Sequence, residues 1–207
     1  MADLPFTPAA PGLAELLLAS LDREGKIGRA LAALGPIADR DVLLVDGGQL
    51  RASELAELGA RVRTVAAPDS GTALDAPDGS VDVVVGLWSA FRAPGPEALA
   101  DVDRVLRPEG RLLVVQDYGR DDVCRLRGEL PEHGAWSRRD GPYLAAGFRI
   151  RVIHCFWTFG SLDDARTFLG AAFGPTGEEV GRGLQRPRIT YNVAIYHRSR
   201  GGARPAS

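Results

Sequence analysis

Residues 41 to 66 read DVLLVDGGQLRASELAELGARVRTVA, and this stretch decides the fold. Asp41 to Val45 is a short apolar run that meets Asp46-Gly47-Gly48, the pattern of a buried strand running into a turn. From Leu50 to Leu58 apolar residues recur at helical spacing, and Gly59 is placed to cap that helix. Arg61 to Ala66 is a second strand. Strand, glycine turn, helix and strand make a βαβ unit, which requires parallel pairing.

Outward from this unit the alternation continues. Val81 to Leu87 is a third strand, and Pro96 to Leu106 a helix ended by the turn Arg107-Pro108-Glu109-Gly110. Arg111 to Gln116 is a fourth strand; 120–130 and 136–146 read as helical. Phe148 to Trp157 is a long strand, Ser161 can cap a helix over 162–172, and a second helical stretch follows near Gly177 to Leu184. Ile189 to His197 is the last strand. Upstream, residues 1–12 hold three prolines and read as an irregular lead-in. Leu13, Leu16, Leu17 and Leu21, then Ile27, Ala30, Leu31 and Leu34, give two helices or one broken at Gly25. The chain divides into a helical segment at 1–40 packed on the core, an α/β domain at 41–198 and a tail at 199–207, rich in Gly, Arg, Pro and Ser, that reads as disordered.

The composition bounds the function. With 45% hydrophobic and 25% charged residues in 207, the chain can bury a full core. A net charge of −2 argues against a generally basic nucleic-acid binder. Cys124, Cys155, His133, His154 and His197 form no metal-ligand spacing. No apolar run approaches the ~20 residues of a membrane span, and Leu13 to Leu21 lacks the basic region of a signal peptide, so a cytoplasmic location is expected. Lys26 is the only lysine, a codon bias of a GC-rich, bacterial-type genome.

Ala100 to Val115, ADVDRVLRPEGRLLVV, and Leu74 to Val85, LDAPDGSVDVVV, resemble the segments entering the fifth and fourth strands of class I S-adenosylmethionine-dependent methyltransferases. The resemblance covers residues 27 to 197 as a topology and about a quarter of the chain motif by motif. It implies a Rossmann-like three-layer sandwich, mostly parallel, with a C-terminal antiparallel hairpin near Phe148 and Ile189. It also implies S-adenosyl-L-methionine as cofactor and methyl transfer to a small-molecule or macromolecular acceptor. In that family the first strand leads into an acidic-x-Gly-x-Gly-x-Gly loop. Here Gly48 matches the middle glycine, while Asp46 and Leu50 stand at the flanking glycine positions and Leu44 at the acidic one. The acidic residue that ends the second strand falls on Ala66 or Ala67, leaving Asp69 as a substitute if the loop bends back. The 14 residues from Ala67 to Ser80 cannot hold a crossover helix of at least about 10–12 residues, a strand of about 5 and a second connection. The family's third strand and its preceding helix are therefore expected to be missing or vestigial. The cofactor motif is degenerate, and cofactor binding is expected to be weak, unusual or absent.

Ligands of open α/β sheets bind beyond the carboxyl ends of the strands. Cofactor-binding candidates are thus Asp46, Gly47, Gly48, Asp69 and Trp88, whose ring can stack on adenine or plug the space of the missing strand. Asp117 and Tyr118 are the candidates to orient or deprotonate an acceptor; Asp117 can equally cap a helix or pair with an arginine. His154, in register with Phe148, Ile150, Val152 and Phe156, reads first as a hydrogen-bonded core residue. Phe156, Trp157 and Phe159 read as core, an interface or an aromatic wall. Trp136-Ser137-Arg138-Arg139-Asp140 can hold an anionic group or start a solvated helix with an Arg–Asp pair. Arg182, Arg186, Arg188, Arg198, Arg200 and Arg204 can touch RNA if they share one surface. No G-x-G-x-x-G follows the first strand, so a dinucleotide site is not supported.

Two functions follow. A methyltransferase needs an open polar pocket at Asp46, Gly48 and Trp88. A non-catalytic binding or assembly protein of the same fold, a pseudoenzyme, would have that pocket filled by Leu50 and Trp88. Its open sheet edge and aromatic hairpin could then form a homodimer.

Overall fold

The computed structural model describes residues 3–8, 11–68 and 73–201. Among them the elements run α1 (Pro11–Ser20), α2 (Lys26–Leu34), β1 (Asp41–Val45), α3 (Gln49–Glu57), β2 (Arg61–Val65), β3 (Val81–Gly86), α4 (Pro96–Val105), β4 (Leu106–Asp117), α5 (Asp122–Arg127), β5 (Arg149–Thr158), α6 (Leu162–Gly183) and β6 (Arg188–Ser199). One six-stranded sheet has the order β2-β1-β3-β4-β6-β5. The first four strands are parallel, and β6 enters antiparallel between β4 and β5.

The central strands are apolar on both faces. Val42 to Val45, Val83 to Val85 and Leu112 to Val115 are all buried, because helices and loops cover the sheet on both sides. One core holds Leu44, Val85, Leu113 and Ile195 against α1, α2, α3 and α6. The other holds Leu43, Val84, Val114 and Tyr196 against α4 and the segment 136–148. Trp157 and Phe168 meet edge to face at 5.9 Å in the first core. Tyr143 stacks on Tyr196 at 3.8 Å in the second. Burying a side chain of this kind contributes about 1.5–3 kcal/mol.

The stretch 66–80 carries no strand or helix among its described residues, and β2 ends the sheet. The described residues of the stretch form neither the third strand nor its helix. Leu74 and Ala76 are buried on the second core in place of a helix. Arg104 of α4 donates to Leu74 O at 3.1 Å and Ala76 O at 2.8 Å, and Asp101 accepts from Leu74 N at 2.6 Å. At the amino ends of the strands Asp41 accepts from Arg61 and Arg107, and Arg107 also reaches Asp82. These arginines hold the Asp41 carboxyl down at about 2.

Three expectations from the sequence are corrected, at 107–110, 136–146 and His154. Arg107 to Gly110 does not separate α4 from a strand; β4 starts at Leu106 and absorbs the turn as a register shift between Val81 and Val83. Residues 136–146 form successive turns, not a helix. Gly141 lies against the carbonyls of Ala135, Trp136 and Arg138, with no room for a side chain, and the turns bury Trp136 and Tyr143 on the sheet. The two helical stretches expected over 162–172 and near Gly177 to Leu184 are both present within α6, where Gly174, at φ 57° and ψ −141°, breaks the helix and Pro175 restarts it. His154 is exposed, because the buried face of β5 carries Ile153, Cys155 and Trp157. Its Nδ1 lies 2.8 Å from Asn192 Oδ1. Ser161 caps α6 by accepting from Asp164 N at 3.0 Å, and Gly59 takes φ 91° after α3. No described helix is long and apolar enough to cross a membrane.

Candidate functional site

Strand order reverses between β1 and β3, since the chain leaves β1 toward β2 and returns on the other side. That switch point is where open α/β sheets bind ligands. β1 delivers Asp46 and the Gly47-Gly48 turn to it, and β3 delivers Trp88 and Ser89.

Asp46 sits at φ 53°, a left-handed conformation that aspartate tolerates better than most residues. Its carboxylate turns back and accepts from Ala67 N at 2.7 Å, tying the first turn to the end of β2. Gly47 packs on Leu44 so closely that a Cβ there would overlap the leucine side chain. Gly48 precedes α3, whose first amides lack intrahelical partners.

The Gly48 amide is already occupied. It donates to Asp3 Oδ1 at 2.6 Å, and a Cβ on Gly48 would overlap the Asp3 carboxylate. Asp3 is buried, and it places a negative charge at the positive end of α3. The strap at residues 3–8 is anchored behind it. Leu4 is buried, and Phe6 stacks on Trp157 at 6.0 Å and lies 5.8 Å from Phe173. Arg127 covers the Phe6 ring at 5.1 Å. Between strap and sheet a cleft of about 390 Å³ remains, lined by Leu4, Phe6, Asp46, Trp88, Ser89 and Arg92.

Trp88 neither stacks in this cleft as a free ring nor fills the missing edge. It is buried in the first core, and its Nε1 donates to Tyr191 Oη at 2.9 Å. The empty edge lies beyond β2, two strands away. Tyr191 donates in turn to Asp117, whose other oxygen accepts from Arg127. Asp117 is therefore a buried ion-pair member; Asp121 is the residue that caps α5. Burial pushes the Asp117 carboxyl above the usual range, against the pull of Arg127 and Tyr191. Tyr118 is half-buried, with Arg120 over its ring at 5.8 Å. Leu50 is 40% exposed and fills nothing. Asp69 lies outside the described residues.

With Asp3 in place, these residues do not fit S-adenosylmethionine at the glycine turn. The Gly48 donor is spent, the space above it is filled, Ala66 and Ala67 offer no carboxylate, and Trp88 is committed to Tyr191.

The sequence reading missed Asp3, Arg127, Tyr191 and the pair formed by Arg92 and buried Glu132 at 2.9 Å. For Asp3 a signal existed. Leu4 and Phe6 alternate within the proline-rich lead-in, which is the pattern of a segment laid on a core. Of the C-terminal arginines, Arg198 is buried on Asp103 and Arg188 covers Phe156 at the far end of β6, so they do not share one surface.

No protein-family model matches the chain. No curated protein matches it either. Among solved structures, the "putative type II methyltransferase" of Anaeromyxobacter dehalogenans is similar at TM-score 0.51 and 21% identity, over 93% of this chain and 97% of that one. The "putative methyltransferase from antibiotic biosynthesis pathway" of Anabaena variabilis is similar at TM-score 0.51 and 14% identity, over 86% and 98%. The chain has the class I methyltransferase fold.

Proposed function

We propose that this chain is a methyltransferase-fold protein in which the N-terminal strap and S-adenosylmethionine compete for one cradle. Methyl transfer is the activity assigned to the open state, and it requires Asp3 to leave Gly48. The observation that carries this reading is the Asp3 carboxylate on the Gly48 amide at the head of α3. The cofactor's own carboxylate would seek the same donors. The cleft beside Asp46, Ser89 and Arg92 supports the reading, because it lies at the switch point of the sheet.

A second reading, a non-catalytic binding protein, is favoured by one further observation. Trp88, Tyr191, Asp117 and Arg127 spend their polar groups on one another. In either reading Asp117 holds Tyr191 and Arg127 in place.

Isothermal titration with S-adenosylmethionine and S-adenosylhomocysteine separates the two. Asp3→Ala should bind at least about tenfold more tightly than the parent chain, the equivalent of one charge-assisted hydrogen bond. If neither protein binds at millimolar ligand while both remain folded, the non-catalytic reading stands.

A further inference from the structure

A cavity of about 860 Å³ is separate from the strap cleft and shares no lining residue with it. It lies where β4 gives way to α5, under the turns at 128–138, with Ile150 and Val152 of β5 as its floor. Its size suits a small organic ligand.

The chemistry of its wall is one-sided. Arg120, Arg125 and Arg138 line it, with Glu129 as the only carboxylate. Arg125 is paired with Asp122 at 2.7 Å. Among the described residues neither Arg120 nor Arg138 has a carboxylate within 4.0 Å, and both are exposed. Arg120 follows Gly119, and both have positive φ, at 60° and 83°. A side chain at Gly119 would crowd His133, so the glycine lets His133 close the inner wall. His133 Nδ1 lies 3.0 Å from Gly128 O and 3.3 Å from Cys124 Sγ. A carbonyl only accepts, so Nδ1 carries the proton and Nε2 is the nitrogen without a protein partner among the described residues.

We propose that this cavity binds a small organic oxyanion with an apolar body. The body lies on Ile150 and Val152, and the anionic end is held by Arg120 and Arg138. Guanidinium forks match carboxylate and phosphate equally, so the shared chemistry is the planar or tetrahedral oxyanion. The Arg92–Glu132 pair stands between this cavity and the strap cleft, because Arg92 lines the cleft and Glu132 adjoins His133. The proposal does not depend on cofactor binding.

The test is titration of the whole chain with phenyl phosphate and with phenylacetate, followed by calorimetry and by the methyl signals of Ile150 and Val152. Benzyl alcohol and inorganic phosphate serve as comparisons. At least one aromatic anion should bind with a Kd below about 1 mM and move both methyl signals. Arg120→Gln and Arg138→Gln should each weaken it about five- to tenfold, and each comparison compound should bind at least about tenfold more weakly. Whichever anion binds more tightly identifies phosphate or carboxylate as the natural group. The proposal is overturned if neither anion binds at about 10 mM, if both arginine variants bind like the parent, or if benzyl alcohol or inorganic phosphate binds as well as the anions.

Discussion

Asp117 ends β4 among partners rather than facing the cleft: Tyr191 on one oxygen, Arg127 on the other. Removing one member of a buried ion pair leaves the other charge unpaired, which costs about 3–5 kcal/mol. Asp117→Ala should therefore lower the unfolding free energy by about that amount in urea denaturation. A loss below about 0.5 kcal/mol, the range of ordinary surface substitutions, would contradict the structural role. His197 makes a pH prediction. Burial pushes its imidazole below the ordinary value, and Arg111, Arg149 and Arg151 add to the shift. The unfolded chain then takes up the proton first as pH falls through about 6.5, so stability declines from there down to the folded value. His197→Gln should flatten that decline when urea stability is compared at pH about 7.5 and about 5.5. Equal pH dependence in both proteins would contradict it. At this scale the turn after β1 was legible because Asp46 follows the strand directly and Gly47-Gly48 lead into α3. The sequence did not reveal the bond from Gly48 to Asp3, which spans 45 positions; the alternation of Leu4 and Phe6 marks only that the strap packs on the core.

The elements were legible wherever a period of two or 3.6 residues was set by burial. β1, α3 and β2 fall within a residue of their reading because the apolar run of β1 meets a glycine turn, α3 has helical spacing ended by Leu58-Gly59, and β2 follows that glycine. The missing third strand was legible for a different reason, since chain length limits what a connection can contain. The turns at 136–146 were not legible, because they bury Trp136 and Tyr143 at a spacing that imitates a helix. Losing the third strand leaves β2 paired on one side only, with Arg61, Arg63 and Thr64 exposed. Arg61 and Arg63 give that edge charges that discourage pairing with another chain. The prediction at this scale concerns local opening. The amides of β2 should exchange with deuterium at least about tenfold faster than those of β1 and β3. Equal protection across all three strands would mean that another segment covers the edge.

Across the whole molecule, two ligand-sized spaces flank the carboxyl ends of the strands. One is roofed by the strap at 3–8 and the other by the turns at 128–138. Arg127 belongs to the strap and to the buried network at once, covering Phe6 and binding Asp117. A chain of contacts thus runs from the strap through Arg127 and Asp117 to Tyr191 and Trp88. The resemblance in sequence anticipated the fold, because the segments around Val81 and Leu106 carry its strand entries. The sequence reading of an altered cradle rested on the glycine loop, the missing acidic residue after β2 and the short stretch 67–80, and none of these pointed to Asp3 lying on Gly48. The most direct measurement of that claim is hydrogen exchange at the Gly48 amide by nuclear magnetic resonance. The account predicts exchange at least about tenfold slower in the parent chain than in Asp3→Ala, because one charge-assisted hydrogen bond is lost. Equal exchange in the two proteins would contradict it, and would mean that the strap does not hold the cradle.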